Sequence, residues 1–311
     1  MAAPVLQIVE WKEGTTTFKA GGLDPLFALD QKVIKAYKAF TAFQLKYMEG
    51  FPVDSYCYMH WICPKPYYHG VEHTQSTMIV LGPPERDLYE DLIGVASHEL
   101  FHVWNICTIR PKELLPYRYE QEVVFPSGGV VEGITTYLGD WFLYASGVWT
   151  DEEYLAGLEG NLKLHLERDG ANVQSLVESS KDLWLDGYGT SLPGKRVSIY
   201  YKGAMMALGL DLLIRKKFAH RKSIRQVMLR LNEEFGNLKK GYTLADFYRI
   251  CSEVYEEDMS AWFGRWMESN EDVTEELQGL LKFIGVDFQA VEDKIKLTFQ
   301  DKSAFKDYFF Y

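Results

Sequence analysis

The string His98-Glu99-Leu100-Phe101-His102 sets two imidazoles four residues apart with a carboxylate beside the first. On a helix, residues i and i+4 share a face, so both rings can grip one metal ion while the adjacent carboxylate handles protons. The flanks Gly94-Val95-Ala96-Ser97 and Val103-Trp104-Asn105 are apolar enough to bury the helix, and buried imidazoles and carboxylates need partners. The bland reading is a pair of core histidines satisfied by carboxylates or backbone. A catalytic zinc site uses three protein ligands and keeps a fourth position open for water, whose pKa it lowers to about 7. Glu132, in Val130-Val131-Glu132-Gly133-Ile134-Thr135-Thr136-Tyr137, is the candidate third ligand, because a lone carboxylate near the start of an apolar helix is costly without a partner. Its competing reading is a solvated first-turn glutamate that favours the helix dipole.

The elements that must position these residues follow from hydrophobic period and punctuation. Val33, Ile34, Tyr37, Phe40, Phe43 and Leu45 have helical spacing between Asp30 and Tyr47, stopped by Gly50 and Pro52. Two β-branched or aromatic runs, Tyr56 to Cys63 and Ser76 to Leu81, predict strands, and the segment between them carries His69-Gly70-Val71-Glu72-His73. Past Pro83-Pro84, the spacing of Leu88, Leu92, Val95, Leu100 and Val103 predicts a helix of about five turns reaching Asn105. A loose strand is expected from Pro4 to Trp11. Downstream of Pro111 the chain reads as nearly all helical, with short strands such as Ile295 to Phe299 in the last segment.

The chain therefore reads as α+β, in four parts: an N-terminal extension or β-domain remnant (1–25), an α/β lobe with a mixed sheet, an edge strand and the histidine helix (26–105), a mainly helical lobe (106–287) and a C-terminal tail (288–311). With 311 residues, 47% of them hydrophobic, it can bury a generous core. A net charge of -11 and the lack of a Lys/Arg cluster argue against nucleic acid as a partner. No apolar stretch is long enough for a membrane span. Four cysteines, none in a C-x-x-C pair, favour a reducing compartment, with the cytoplasm as the expectation.

Several separated motifs together resemble the glycyl aminopeptidase family of zinc peptidases, gluzincins that often carry a PDZ domain. They are Ser97 to Asn105 with both histidines, Ile109-Arg110-Pro111, Glu132 to Tyr137, Gln174-Ser175-Leu176 with Ser179-Ser180, Tyr200-Tyr201-Lys202-Gly203-Ala204, and Leu210-Asp211-Leu212 with Ile214-Arg215. The resemblance implies a thermolysin-like zincin domain holding one Zn2+ on His98, His102 and Glu132, with Glu99 as general base. It implies that Tyr200 donates to the oxyanion, with Tyr201 as the alternative. It also implies that His69-Gly70-Val71-Glu72-His73 is a substrate edge strand, along which Gly70 and Val71 line the peptide and Glu72 binds its free α-amino group.

The expected activity is that of an aminopeptidase acting on peptides with a free N-terminus, with small residues such as Gly or Ala preferred. A zinc endopeptidase and a non-catalytic peptide-binding scaffold are the alternatives. The chain departs from the family at His69, at Cys107 and Thr108, where basic residues are usual, and at Gly129, where an aromatic is usual. The connection from His102 to Glu132 is longer than in aminopeptidase N relatives, and neither the family's N-terminal β-domain nor a PDZ domain is accommodated. A short form or an excised catalytic unit is the expectation.

Overall fold

The computed structural model describes residues 7–22, 29–167, 171–186, 194, 197–291 and 294–309. Residues 4–6 of the expected first strand lie outside the described residues. The chain divides into two compact units: residues 1–108 with 138–150, and residues 109–137 with 151–311.

The first unit is built on a mixed five-stranded sheet. Its strands are β1 (Gln7–Glu13), β2 (Thr16–Gly22), β3 (Ser55–Ile62), β4 (Tyr67–His73) and β5 (Ser76–Gly82), in the order β1-β2-β3-β5-β4. The pairs β2·β3 and β3·β5 are parallel, while β1·β2 and β4·β5 are antiparallel. β3 alternates, turning Tyr56, Tyr58, His60 and Ile62 inward, as a half-buried strand must. Against that face pack α1 (Gln31–Tyr47) and α2 (Tyr89–Phe101). Asp30 caps α1 by accepting the Val33 N–H at 2.8 Å, and Val33, Ile34, Tyr37, Phe40 and Gln44 form its buried stripe.

α2 is shorter than its sequence predicts: 13 residues, with Glu90 and Asp91 in its first turn. After Phe101 the backbone tightens, with Val103 N bonding Leu100 O and Trp104 N bonding Phe101 O. Ile106 then takes φ 129°, a conformation that a β-branched residue adopts only under strain. Val103 continues the apolar period, so nothing in the sequence advertises the stop.

The second unit is mainly helical. A π-helical turn, Gly129–Gly133, leads into α3 (Ile134–Ala145), whose residues from Leu138 on are counted with the first unit; the sequence reads the turn as a plain α-helix. There follow α4 (Asp151–Leu166), α5 (Leu176–Lys181), α6 (Leu183–Asp186), α7 (Tyr201–Phe218), α8 (Ile224–Phe235), α9 (Leu244–Tyr255), α10 (Ser260–Phe263) and α11 (Thr274–Phe283). The antiparallel hairpin β6 (Val286–Val291) and β7 (Lys294–Phe299) precedes α12 (Lys302–Phe309). Reciprocal capping boxes, Ser223 with Gln226 and Thr243 with Asp246, start α8 and α9. Among the described residues no helix is long and apolar enough to cross a membrane.

Candidate functional site

His98 falls on the last turn of α2 and His102 is its C-cap, His98 half-buried and His102 1% exposed. Their Nε2 atoms are 3.0 Å apart. His102 Nδ1 lies 2.8 Å from the Asn105 carbonyl. A carbonyl only accepts, so Nδ1 carries the proton and Nε2 keeps the lone pair that a metal ligand needs. The strained reversal at Ile106 follows directly on Asn105, and Cys107 N closes it by bonding His102 O at 3.0 Å.

The turn that bears the histidines is itself held. Gln44 of α1 donates to Ser97 O at 2.9 Å and to Ser97 Oγ at 3.1 Å, and Ser97 Oγ donates to Gly139 O at 2.7 Å. In the sequence Ser97 stands only as a flank of the histidine motif. Buried Gln44, a polar residue on the apolar stripe of α1, was the available signal.

Glu99 is 5% exposed. Tyr56 donates from its hydroxyl to the Glu99 carbonyl at 3.3 Å, and burial raises the Tyr56 pKa well above its usual value, which keeps it a donor. The Glu99 side chain lies against β4, because a Cβ at Gly70 would fall 2.2 Å from Glu99 Oε1 and 2.8 Å from its Cγ. Gly70 thus clears the space this carboxylate occupies, a duty its sequence context does not reveal.

β4 is the edge strand expected of its segment. Gly70 pairs with Ile79, Val71 with Met78 and Glu72 with Thr77, so the outer side of β4 pairs with no strand of this sheet, and Gly70, Val71 and Glu72 are each half-buried.

Glu132 sits on the π-helical turn. Such turns insert one extra residue into a helix and recur at functional sites. α7 meets the turn closely: a Cβ at Gly133 would lie 2.3 Å from Gly203 Cα, and one at Gly203 would lie 2.9 Å from Gly129 O. Tyr200 is half-buried at the N-cap of α7. Beside it Lys202 is 3% exposed and donates to the Gln174 carbonyl at 2.9 Å; burial lowers its pKa to about 8 against the pull of Glu178.

Among the described residues, the candidate ligand atoms of His98, His102 and Glu132 all lie within 4.8 Å of one another. Two imidazole nitrogens and one carboxylate oxygen form a set that could hold a metal ion. The fold and this set define a mixed α/β chain with a His/His/Glu group of metal-ligand type.

Residues 91–206, the segment that carries all three, match the family of M61 glycyl aminopeptidases. Among solved structures, an aminopeptidase N family protein from Idiomarina loihiensis is 27% identical with a TM-score of 0.85, over 92% of this chain and 50% of that one. The chain thus spans half the length of that relative. Comparison with curated proteins gives no match. The two findings support the glycyl aminopeptidase family, the one the sequence motifs resemble.

Proposed function

We propose that the chain is a zinc-dependent aminopeptidase with a thermolysin-like catalytic domain, removing small N-terminal residues such as Gly or Ala from peptides. The observation that carries this reading is the convergence of His98, His102 and Glu132 within 4.8 Å. The donor set suits zinc in chemistry as well as in number, since two neutral imidazoles and one carboxylate with room for water make up a catalytic zinc site. A bound zinc ion would polarise the scissile carbonyl and lower the pKa of water to about 7.

The residues of this chain supply the rest. Glu99 takes a proton from the attacking water and returns it to the leaving amine. The Tyr200 hydroxyl donates to the carbonyl oxygen as negative charge develops there. Glu72 receives the substrate ammonium in a charge-assisted hydrogen bond, while Gly70 and Val71 align the first residues along β4. Anchoring the amine limits cleavage to the first peptide bond.

The test is hydrolysis of a free-amine peptide and of its acetylated twin by wild type and Glu99→Gln, with metal content measured on both proteins. Wild type is expected to cleave only the free-amine peptide. Glu99→Gln is expected to hold stoichiometric zinc and lose turnover. Equal cleavage of both peptides would point to an endopeptidase, and a metal-free wild type or a fully active Glu99→Gln would refute the mechanism.

A further inference from the structure

The motif Leu210-Asp211-Leu212 with Ile214-Arg215 has no part in the chemistry above, yet it forms a dense polar cluster in the second unit. Asp211 and Arg215 face each other one turn apart on α7 at 3.0 Å, each side chain 2% exposed. Asp211 Oδ2 accepts from Arg215 Nε, from the Tyr137 hydroxyl of α3 at 2.7 Å and from the Tyr308 hydroxyl of α12 at 2.9 Å. Its Oδ1 accepts the Ile224 N–H that opens α8, also at 2.7 Å. Arg215 Nη1 donates to the Tyr308 carbonyl at 2.8 Å, and its guanidinium lies 4.6 Å from the Tyr308 ring centre. Burial raises the pKa of both tyrosines well above the usual value, so both remain donors.

One carboxylate therefore ties together α3, α7, α8 and α12. A buried ion pair is a weak source of net stability, because desolvation offsets its attraction, and register is its best-attested use. The register at stake here is that of the Glu132 segment. Tyr137 lies little more than one turn beyond Glu132, on the helix that continues the π-helical turn. On the N-terminal side of Glu132 the Gly129 N–H donates to Ser180 Oγ at 3.1 Å, and at Gly133 the segment meets the backbone of Gly203 on α7. The hydrogen bond at Tyr137 adds a directional contact on the C-terminal side, so the Glu132 segment is fixed from both ends.

We propose that Asp211 is a positioning residue for the Glu132 carboxylate, and that α12, through Tyr308, helps set the affinity of the metal centre. The inference rests on the metal-binding reading given above. Tyr308→Phe and Tyr137→Phe each delete one hydroxyl donor and keep the ring, and Asp211→Asn keeps the shape and removes the charge. Tyr248→Phe, on α9, is the control for a buried tyrosine hydroxyl outside the cluster.

The experiment measures zinc affinity by competition with a chromophoric chelator, the visible spectrum of the cobalt-loaded proteins and the thermal midpoint of each. Tyr137→Phe and Tyr308→Phe are expected to weaken zinc by about tenfold, the low end for partners of metal ligands, and to shift the cobalt bands, whereas Tyr248→Phe changes only the midpoint. Wild-type affinity and spectra in both tyrosine variants would overturn the inference alone, as would an equal loss in Tyr248→Phe. A wild type that binds neither metal would overturn the metal reading and this inference with it. If Asp211→Asn does not fold, the two tyrosine variants still decide the matter.

Discussion

Gly70→Ala tests the link between the edge strand and the proposed general base. The added methyl would stand 2.2 Å from Glu99 Oε1, 2.6 Å from Cδ and 2.8 Å from Cγ, where ordinary contact begins at 3.4 Å. Because Cγ is also too close, rotating the carboxylate about its last bond gives no relief. The group must retreat by about 1.2 Å, from 2.2 to 3.4 Å, and Glu99 is too buried to swing into solvent. A misplacement of about 1 Å at a reacting group costs on the order of a hundredfold in rate, or about 2.7 kcal/mol of activation free energy. The backbone pairing of Gly70 with Ile79 does not involve a side chain, so β4 keeps its place. Steady-state kinetics on a glycyl or alanyl amide should therefore show kcat down by about a hundredfold, with KM changed little and zinc content unchanged. An unaltered kcat with a raised KM would refute the reasoning, since it would mean that β4 yields to the methyl while Glu99 stays where it is.

Three other changes have defined outcomes. Glu72→Gln should raise KM for free-amine substrates by about 10- to 100-fold, the worth of a charged hydrogen bond, and should leave any residual cleavage of acetylated peptide as it was; an unchanged KM would exclude Glu72 as the anchor. Gly203→Ala would set a Cβ 2.7 Å from Gly133 Cα and 2.9 Å from Gly129 O; forcing the backbones apart should cost about 1–3 kcal/mol of stability and weaken zinc binding, and normal melting with normal affinity would count against the contact. His60 is buried, with Nε2 2.9 Å from the Tyr37 hydroxyl and Nδ1 2.9 Å from the Gly21 carbonyl, and burial lowers its pKa to about 4 against the pull of that carbonyl. The unfolded chain, with a pKa of about 6.5, takes up this proton first, so stability is full above about pH 6.5 and falls as the pH drops toward 4. At pH 5 the loss is about 2 kcal/mol, and urea midpoints should show it in wild type and not in His60→Gln; parallel pH profiles would refute it.

How far the sequence could be read depended on whether each feature is local. The edge strand was legible because Tyr67 to His73 lies between two strongly alternating runs, and among the described residues β4 lies at the edge of the sheet beside β5. The histidine pair was legible from spacing. By contrast, β2 carries Ala20, Gly21 and Gly22, which give little strand signal, and in α12 the pair Phe305 and Tyr308 is buried, too short a period to separate from a tail. The end of α2 was hidden because the strain at Ile106 falls on a residue type that ordinarily avoids it. The π-helical turn was hidden for a different reason: an extra residue per turn leaves the local composition unchanged, and α7, which the turn meets at Gly203, comes some 70 residues along. Asp211 and Arg215 were visible as a motif, but their partners Tyr137, Ile224 and Tyr308 are scattered along the chain.

The same separation explains why the glycines of the site carry more information than their number suggests. A catalytic carboxylate or ligand must be buried to act in a low-dielectric setting, yet burial demands that neighbouring backbone come close and leave room. At Gly70 that room is filled by the Glu99 side chain, and at Gly133 and Gly203 by each other's backbone. None of these three has a left-handed φ, so turn formation does not account for them. Their missing side chains do: each is a volume constraint set by a polar residue, or by the segment that carries one. A substitution at Gly70 should thus damage the chemistry before it damages the fold, whereas one at Gly133 or Gly203, where backbone meets backbone, should damage both. If alanine at Gly70, the case where only a side chain must yield, lowered stability while leaving turnover intact, the volume argument would fail.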